Sequence, residues 1–377
     1  MDSTPRDVPN DPGQRRPRQA PHLPLRRHPI AGRQRRVPHE TSTGSPLVSI
    51  LLPLRNAAPT LRAALCSVQR QQFSDWECVI VDDGSTDKSP WLARQWAAAD
   101  PRFRLFERPA CGLVEALNFG LAQCRAPFVA RMDADDLMHS ARLARQVATL
   151  REDLSLALLG CRVRLFPRHR LRRGYREYER WLNRLLRPEE IAREAYVECP
   201  VAHPTWMART AILRQLGYRD CPWPEDYDLL LRMLAAGYRV ATLPERLHLW
   251  RVHAGQTRLR HPRYSHAAMV RAKAHFLARG PLREQDRYVL WGYGATGRAL
   301  RRALVAEGKH AAAIVEVHPR RLAAHHHRPP FLAPPALKQW AHLPLLISVS
   351  GAEAREEIRT FLADFPYREG ENCLFTA

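Results

Sequence analysis

Short apolar runs alternate with amphipathic stretches along most of the chain. Residues 47–52, apolar except for Ser49 and bounded by Pro46 and Pro53, predict a strand buried on both faces. Residues 60–70 set Leu61, Ala64, Leu65 and Val68 on one helical face, with Thr60 as the expected cap. The alternation continues with a strand at 77–81, a helix at 89–99, a strand at 103–106 and a helix at 112–123. The run 127–130 closes this first series as a strand that opens directly into Asp133, Asp135 and Asp136. Further strands are expected at 157–163, 239–243 and 249–253, and a helix from Glu225 with apolar positions 227, 230, 231 and 234. Such alternation predicts an α/β fold with a mostly parallel sheet and helices on its faces. A helical connector over 262–284 then leads to a smaller series, with strands at 287–291, 312–317 and 345–349 and a helix at 352–362. The expected organisation is a tail (1–45), a large α/β domain (46–261), the connector (262–284) and a small α/β domain (285–377).

Composition changes this picture at the ends and at the surface. Residues 1–45 hold eight Pro and nine Arg against four acidic residues, with no apolar period, which predicts a disordered basic tail. The formal net charge is +21, from 59 basic residues of which four are Lys, so polyanions, anionic lipid headgroups and phosphorylated substrates are favoured partners. Eight Cys occur without a C-x-x-C pair, which argues against a zinc site or a disulfide framework. No apolar run reaches the roughly 18 residues needed to span a bilayer, so a cytoplasmic protein with at most peripheral membrane contact is expected. Residues 162–193 carry eleven Arg and four Glu with Tyr175, Tyr178, Trp181, Leu182, Leu185 and Leu186 on an apolar side. This surface suits either an anionic acceptor or membrane, or simply a solvated charged face.

The candidate chemistry sits at strand ends, where ligands of parallel sheets collect. Three carboxylates within four residues at 133–136 repel one another, and a hard divalent cation removes that cost. The alternative is an acidic turn in which Asp136 caps a helix starting near His139. Asp82 and Asp83 end the 77–81 strand before Gly84; they suit the N–H or O–H donors of a nucleotide, or an Asp-Gly turn whose Ser85 or Asp87 caps the next helix.

The segments Val48-Ser49-Ile50-Leu51-Leu52-Pro53-Leu54-Arg55-Asn56, Val81-Asp82-Asp83-Gly84-Ser85-Thr86-Asp87 and Met132-Asp133-Ala134-Asp135-Asp136 resemble, in order and spacing, the inverting family 2 glycosyltransferases of GT-A fold. The resemblance covers about residues 46–260. It implies a nucleotide-diphospho-sugar donor, UDP-linked by preference, and Mg²⁺ or Mn²⁺. Pro53, Arg55, Asp82, Asp83, Asp133 and Arg251 would serve the donor, and Asp133, Asp135 and His253 the metal. It makes Asp226 the base that deprotonates an acceptor hydroxyl, with Glu225 assisting. Read from the residues alone, Glu225 and Asp226 at a helix start are equally a cap. His203 and Trp223 are candidate acceptor-pocket residues. Trp250-Arg251-Val252-His253 resembles the family's Tyr-Arg-x-His segment, with Trp250 in place of Tyr; as a strand it puts 251 and 253 on one side. The acceptor would be a glycan or a lipid-linked hydroxyl in surface polysaccharide or glycolipid synthesis.

In the smaller domain Gly292-Tyr293-Gly294-Ala295-Thr296-Gly297 follows a strand, and Glu316 ends the next one, 24 positions after Gly292. This is the arrangement of a Rossmann-like dinucleotide site, with NAD(P) as the implied cofactor; a packing or partner-recruiting module that keeps the Gly turn is the other reading. Lys309 and His310 read as a solvated loop, and the histidines at 325–327 as a basic Pro-flanked loop. Two other functions fit parts of the sequence. An NAD(P)-dependent sugar-modifying oxidoreductase would need a catalytic partner near Glu316. A basic, non-catalytic binding protein for nucleic acid would need a recognition helix or an aromatic-basic repeat, and neither is evident.

Overall fold

The computed structural model describes residues 45–256, 261–322 and 329–377. The expected tail, all but Ser45, and the histidines at 325–327 lie outside the described residues. Eight strands form the larger sheet: β1 (Val48–Leu54), β2 (Trp76–Asp83), β3 (Phe103–Arg108), β4 (Phe128–Arg131), β5 (Leu137–Met138), β6 (Leu156–Phe166), β7 (Met207–Arg209) and β8 (Arg239–Arg251). Their order is β3-β2-β1-β4-β7-β6-β8-β5. β3, β2, β1 and β4 are mutually parallel. β7 runs antiparallel to both β4 and β6, and β5 antiparallel to β8. The apolar runs read as two-faced strands are so: β1 and β2 are buried at every position, between two clusters centred on Ile50, Leu52 and Leu61 on one face and Leu51, Val79 and Leu117 on the other.

Several local expectations are corrected. The first helix is Ala58–Gln69, and Thr60 lies inside it rather than capping it. Its start is held by the segment after the neighbouring strand β2: Asp87 Oδ2 accepts the N–H of Ala58 (3.0 Å) and Ser89 Oγ that of Ala57 (2.8 Å). The same Asp87 accepts the N–H of Ser89 (2.8 Å), which opens the helix Ser89–Ala99. The two strands expected at 239–243 and 249–253 are one strand. β8 pairs with β6 throughout, and its register skips Pro244 and Glu245, so the proline sits in a bulge where no ladder hydrogen bond is required of it. His253 falls beyond the end of that strand.

The second sheet contains β9 (Arg287–Trp291), β10 (His310–Val315), β11 (Phe331–Leu332), β12 (Leu345–Ile347) and β13 (Cys373–Phe375). All its pairings are parallel, in the order β11-β10-β9-β12-β13, which is Rossmann-like. The region expected as a connector holds the helix His266–Arg279, capped by Ser265 Oγ. This helix ties the two sheets' elements together. Its Lys273, 5% exposed, donates to the carbonyls of Val197 (2.8 Å) and Thr376 (3.0 Å), the latter just after β13. Arg359 donates to Glu194 (2.8 Å) beside that contact.

Candidate active site

The carboxyl ends of β1, β2 and β4 open on one cleft of about 1290 Å³, whose far wall comes from the start of helix Glu225–Ala235 and from residues 261–273. Pro53, Arg55, Asp83, Asp133, Asp135, His203, Glu225, Asp226, Arg251 and His253 all line it. Residues far apart in the chain thus share one surface.

Asp83 is 4% exposed and accepts the backbone N–H groups of Cys111 (2.7 Å) and Gly112 (3.0 Å). The loop can come that close because residue 84 is glycine. Gly84 has φ +67, and a Cβ there would lie 2.5 Å from the nitrogen of Ala110. Arg55 stands 3.9 Å from the Asp83 carboxylate. Asp82 does not line the cleft, contrary to expectation. Neighbouring strand residues face opposite ways, and Asp82 turns inward to accept the N–H of Ser85 (3.3 Å).

At the end of β4, carboxylate oxygens of Asp133, Asp135 and Asp136 lie within 4.8 Å of one another. Each has its own restraint. Arg131, 4% exposed, donates to Asp133 (2.7 Å). His253 Nε2 lies 2.8 Å from Asp135 Oδ2. Asp136 is not a helix cap: the next helix is Arg142–Glu152, and the Asp136 carboxylate accepts from His248 Nε2 (2.8 Å) and from the N–H of Arg251 (2.7 Å). Arg142, fully buried, lies behind it. Its guanidinium donates to the carbonyls of Arg131 (3.0 Å) and Trp206 (3.3 Å) and to His248 Nδ1 (3.2 Å). Because arginine can only donate, His248 must be the Nε2–H tautomer, so its proton points at Asp136. Burial, then Arg142, holds the His248 pKa well below the usual imidazole value, so the ring is neutral. Burial, then the charge of Asp133, raises the Asp135 pKa, while His253 opposes the shift. Oxygen donors crowded at this charge density fit Mg²⁺ or Mn²⁺. Both Asp136 oxygens are engaged, by His248 and the N–H of Arg251, while Arg131 bonds Oδ1 of Asp133 and His253 Oδ2 of Asp135.

Across the cleft, Glu225 is 2% exposed and accepts from the Tyr264 hydroxyl at 2.8 and 2.7 Å. Asp226 accepts the N–H of Tyr227 (2.7 Å). Burial, then the neighbouring Glu225 charge, pushes the Asp226 pKa up to about 7. His203 lines the cleft from a 3-10 turn, His203–Thr205. It bonds the Tyr218 hydroxyl (2.8 Å), and burial holds it neutral. Trp223 does not line the cleft: its indole N–H is taken by Asp228 (3.1 Å) and its ring lies against His275.

Comparison with known proteins adds an independent finding. The model of glycosyl transferase family 2 matches residues 49–217. EpsE of Bacillus subtilis (strain 168) is 31% identical over 209 residues, covering 54% of this chain and 72% of EpsE. The amylovoran biosynthesis glycosyltransferase AmsE of Erwinia amylovora is 31% identical over 214 residues, 55% of this chain and 77% of AmsE. The chain belongs to glycosyl transferase family 2. A crystal structure of S. aureus TarS 1-349 in complex with UDP-GlcNAc shares the fold, with TM-score 0.50 and 18% identity over 69% of this chain and 72% of that one. The protein is therefore a glycosyltransferase, and its larger sheet has the GT-A-like architecture.

The family match ends before Glu225, Arg251 and His253, so the far wall of the transferase cleft rests on the geometry above. Arg131, Arg142, His248 and Tyr264 received no role from the sequence. Arg131 had a signal, a lone arginine just before the acidic turn; the other three had none. Replacing Arg142 with Met should lower stability by about 2–4 kcal/mol, since two carbonyls and His248 Nδ1 lose their donor. Urea denaturation measures this, and a change within error would show that the buried guanidinium does not hold the acidic turn.

Proposed function

We propose that the transferase moves a sugar, with inversion, from a nucleoside-diphosphate sugar to a hydroxyl of a glycan or lipid-linked acceptor, with a UDP-sugar as the preferred donor. The observation that carries this reading is that Asp133 and Asp135 share one cleft with Asp226, whose pKa of about 7 suits a general base at neutral pH. In this reading Pro53, Arg55 and Asp83 receive the nucleoside, and Arg251 pairs with the diphosphate. Arg251 is already oriented, because its Nε donates to the carbonyl of Asp135 (2.6 Å) and its guanidinium packs on Phe166. Asp226 takes the acceptor's proton as the hydroxyl oxygen bonds to the anomeric carbon and the bond to the diphosphate oxygen breaks. Glu225, fixed by Tyr264, sets the field that keeps Asp226 basic. Asp133 and Asp135 would hold a Mg²⁺ or Mn²⁺ ion, which would supply positive charge against the leaving diphosphate.

No helix of the described residues is long and apolar enough to cross a membrane. Arg168, Arg170, Arg172, Arg173, Arg176 and Arg180 are exposed along and before the helix Arg173–Leu182, whose Tyr178 lines the cleft. This face supports docking of the enzyme at an anionic membrane that carries its acceptor. Sedimentation should then show binding to phosphatidylglycerol vesicles that falls steeply with salt. Equal binding to neutral vesicles would remove the idea.

Two substitutions separate the proposed roles. Asp135→Ala should weaken Mn²⁺-supported UDP binding about tenfold or more, whereas Asp226→Asn should bind UDP normally yet lose about two to four orders of magnitude in turnover. Unchanged UDP affinity in Asp135→Ala would defeat the metal assignment, and substantial turnover in Asp226→Asn would defeat the base.

The pH profile gives a further check. A base must be ionised to work, so kcat/KM should rise with pH through about 7 and be lost below it. Glu225→Gln removes a like charge and should move that limb to lower pH. A limb that stays in place would exclude Asp226 as its source.

A further inference from the structure

The five-stranded sheet carries a second set of features that shares no residue with the cleft. β9, β10 and β11 run in chain order to one side, and β12 and β13 to the other, so strand order reverses between β9 and β12. Ligands of open parallel sheets bind beyond the carboxyl ends at that reversal. Trp291 pairs with Ile347, which sets Gly292 level with Ser348 at this point.

The three glycines of the turn are there for different reasons. Gly292 has φ +93, and a Cβ there would lie 2.9 Å from the Ser348 carbonyl oxygen. A Cβ on Gly297 would lie 2.1 Å from the Gly292 carbonyl oxygen. Packing and backbone conformation account for both. Gly294 has φ −70, and a Cβ there would meet nothing within 4 Å. Neither strain nor packing asks for glycine at 294; the N-cap position favours it modestly, and close approach of a ligand to bare backbone favours it further.

Gly294 is also the N-cap of the twelve-residue helix Ala295–Ala306, which has no side-chain cap. Its first-turn N–H groups face the turn, as they do in sites for phosphate. Ser348 is 6% exposed, and its hydroxyl has no hydrogen-bond partner among the described residues. Its Cβ stands 3.6 Å from where a Gly297 Cβ would be, so the side chain is directed at the first turn of the same helix. An unsatisfied buried hydroxyl is costly unless a ligand completes it. Glu316, at the end of β10, is braced by Arg321 (2.6 Å) and by the N–H groups of Val317 and His318. A cavity of about 370 Å³ beside Tyr293 is lined by Arg298, Arg301 and Arg302, which favours a polyanion.

We propose that this module binds a nucleotide whose diphosphate lies on the Gly292–Gly294 turn and the first turn of the helix, with Ser348 beneath it and a ribose towards Glu316. The recognised chemistry is a ribose joined to a diphosphate, which an adenine dinucleotide or a uridine nucleotide can equally supply. Calorimetric titration of the full chain with NAD⁺, NADP⁺ and UDP distinguishes these sources. Binding of NAD⁺ or NADP⁺ identifies the first; two equivalents of UDP per chain, in place of the single one due to the cleft, identify the second.

Gly294→Ala should leave the melting temperature and transferase turnover unchanged while weakening the module's nucleotide about tenfold or more. Ser348→Ala should weaken it less, again without loss of melting temperature. The proposal is overturned if the wild type binds nothing beyond one UDP equivalent at millimolar concentrations, or if the additional binding is indifferent to Gly294→Ala.

Discussion

Concentrating negative charge at the end of a buried strand is the constraint on which this structure depends. Three carboxylates crowd the turn after β4, and in a low-dielectric surrounding they would drive the turn apart or take up protons. The fold answers with a chain of donors reaching inward. Arg142 donates to His248, His248 donates to Asp136, and Asp136 accepts the N–H of Arg251. The same guanidinium holds the carbonyls of Arg131 and Trp206, so one buried cation joins β4, β8 and the turn before β7. The outer carboxylates, Asp133 and Asp135, are thereby left facing the cleft in fixed positions.

This arrangement divides labour among acids that look alike in sequence. Asp136 is spent on structure, Asp133 and Asp135 on the cleft surface, and Asp226 is set apart by burial beside Glu225. The division depends on segments beyond the matched family region. Tyr264, in what reads as a connector, fixes Glu225, and Lys273 on the following helix ties that wall to the end of β13. The smaller sheet is therefore joined, through Lys273, to the helix that borders the far wall of the active site.

Much of the architecture is written in the apolar pattern. Fully buried parallel strands such as β1 and β2 require unbroken apolar runs, and their acidic ends mark the face where a ligand can sit. The longer strands, several helices, the acidic clusters and the Gly-rich turn were legible for that reason, whereas the two- and three-residue strands β5, β7, β11 and β13 are too short to carry a periodic signal. Local patterns mislead where a distant group supplies what the local sequence lacks. The first helix is held at its start by Asp87 and Ser89 rather than by Thr60, and β8 continues past Pro244 because it bulges there and resumes its pairing with β6 at Arg246.

The sequence by itself determined the α/β class, the two sheets and the clustering of carboxylates at strand ends, because periodicity and burial are properties of neighbouring residues. Only the tertiary structure decided which acids face the cleft. Asp82 and Asp83 must point opposite ways, but the loop at Cys111 and Gly112 selects Asp83. Trp223 is turned away by Asp228, and Tyr264 is brought to Glu225 across 39 residues. Arg142 and His248 gain their importance from a contact 106 residues apart, which no local pattern of charge or hydrophobicity encodes.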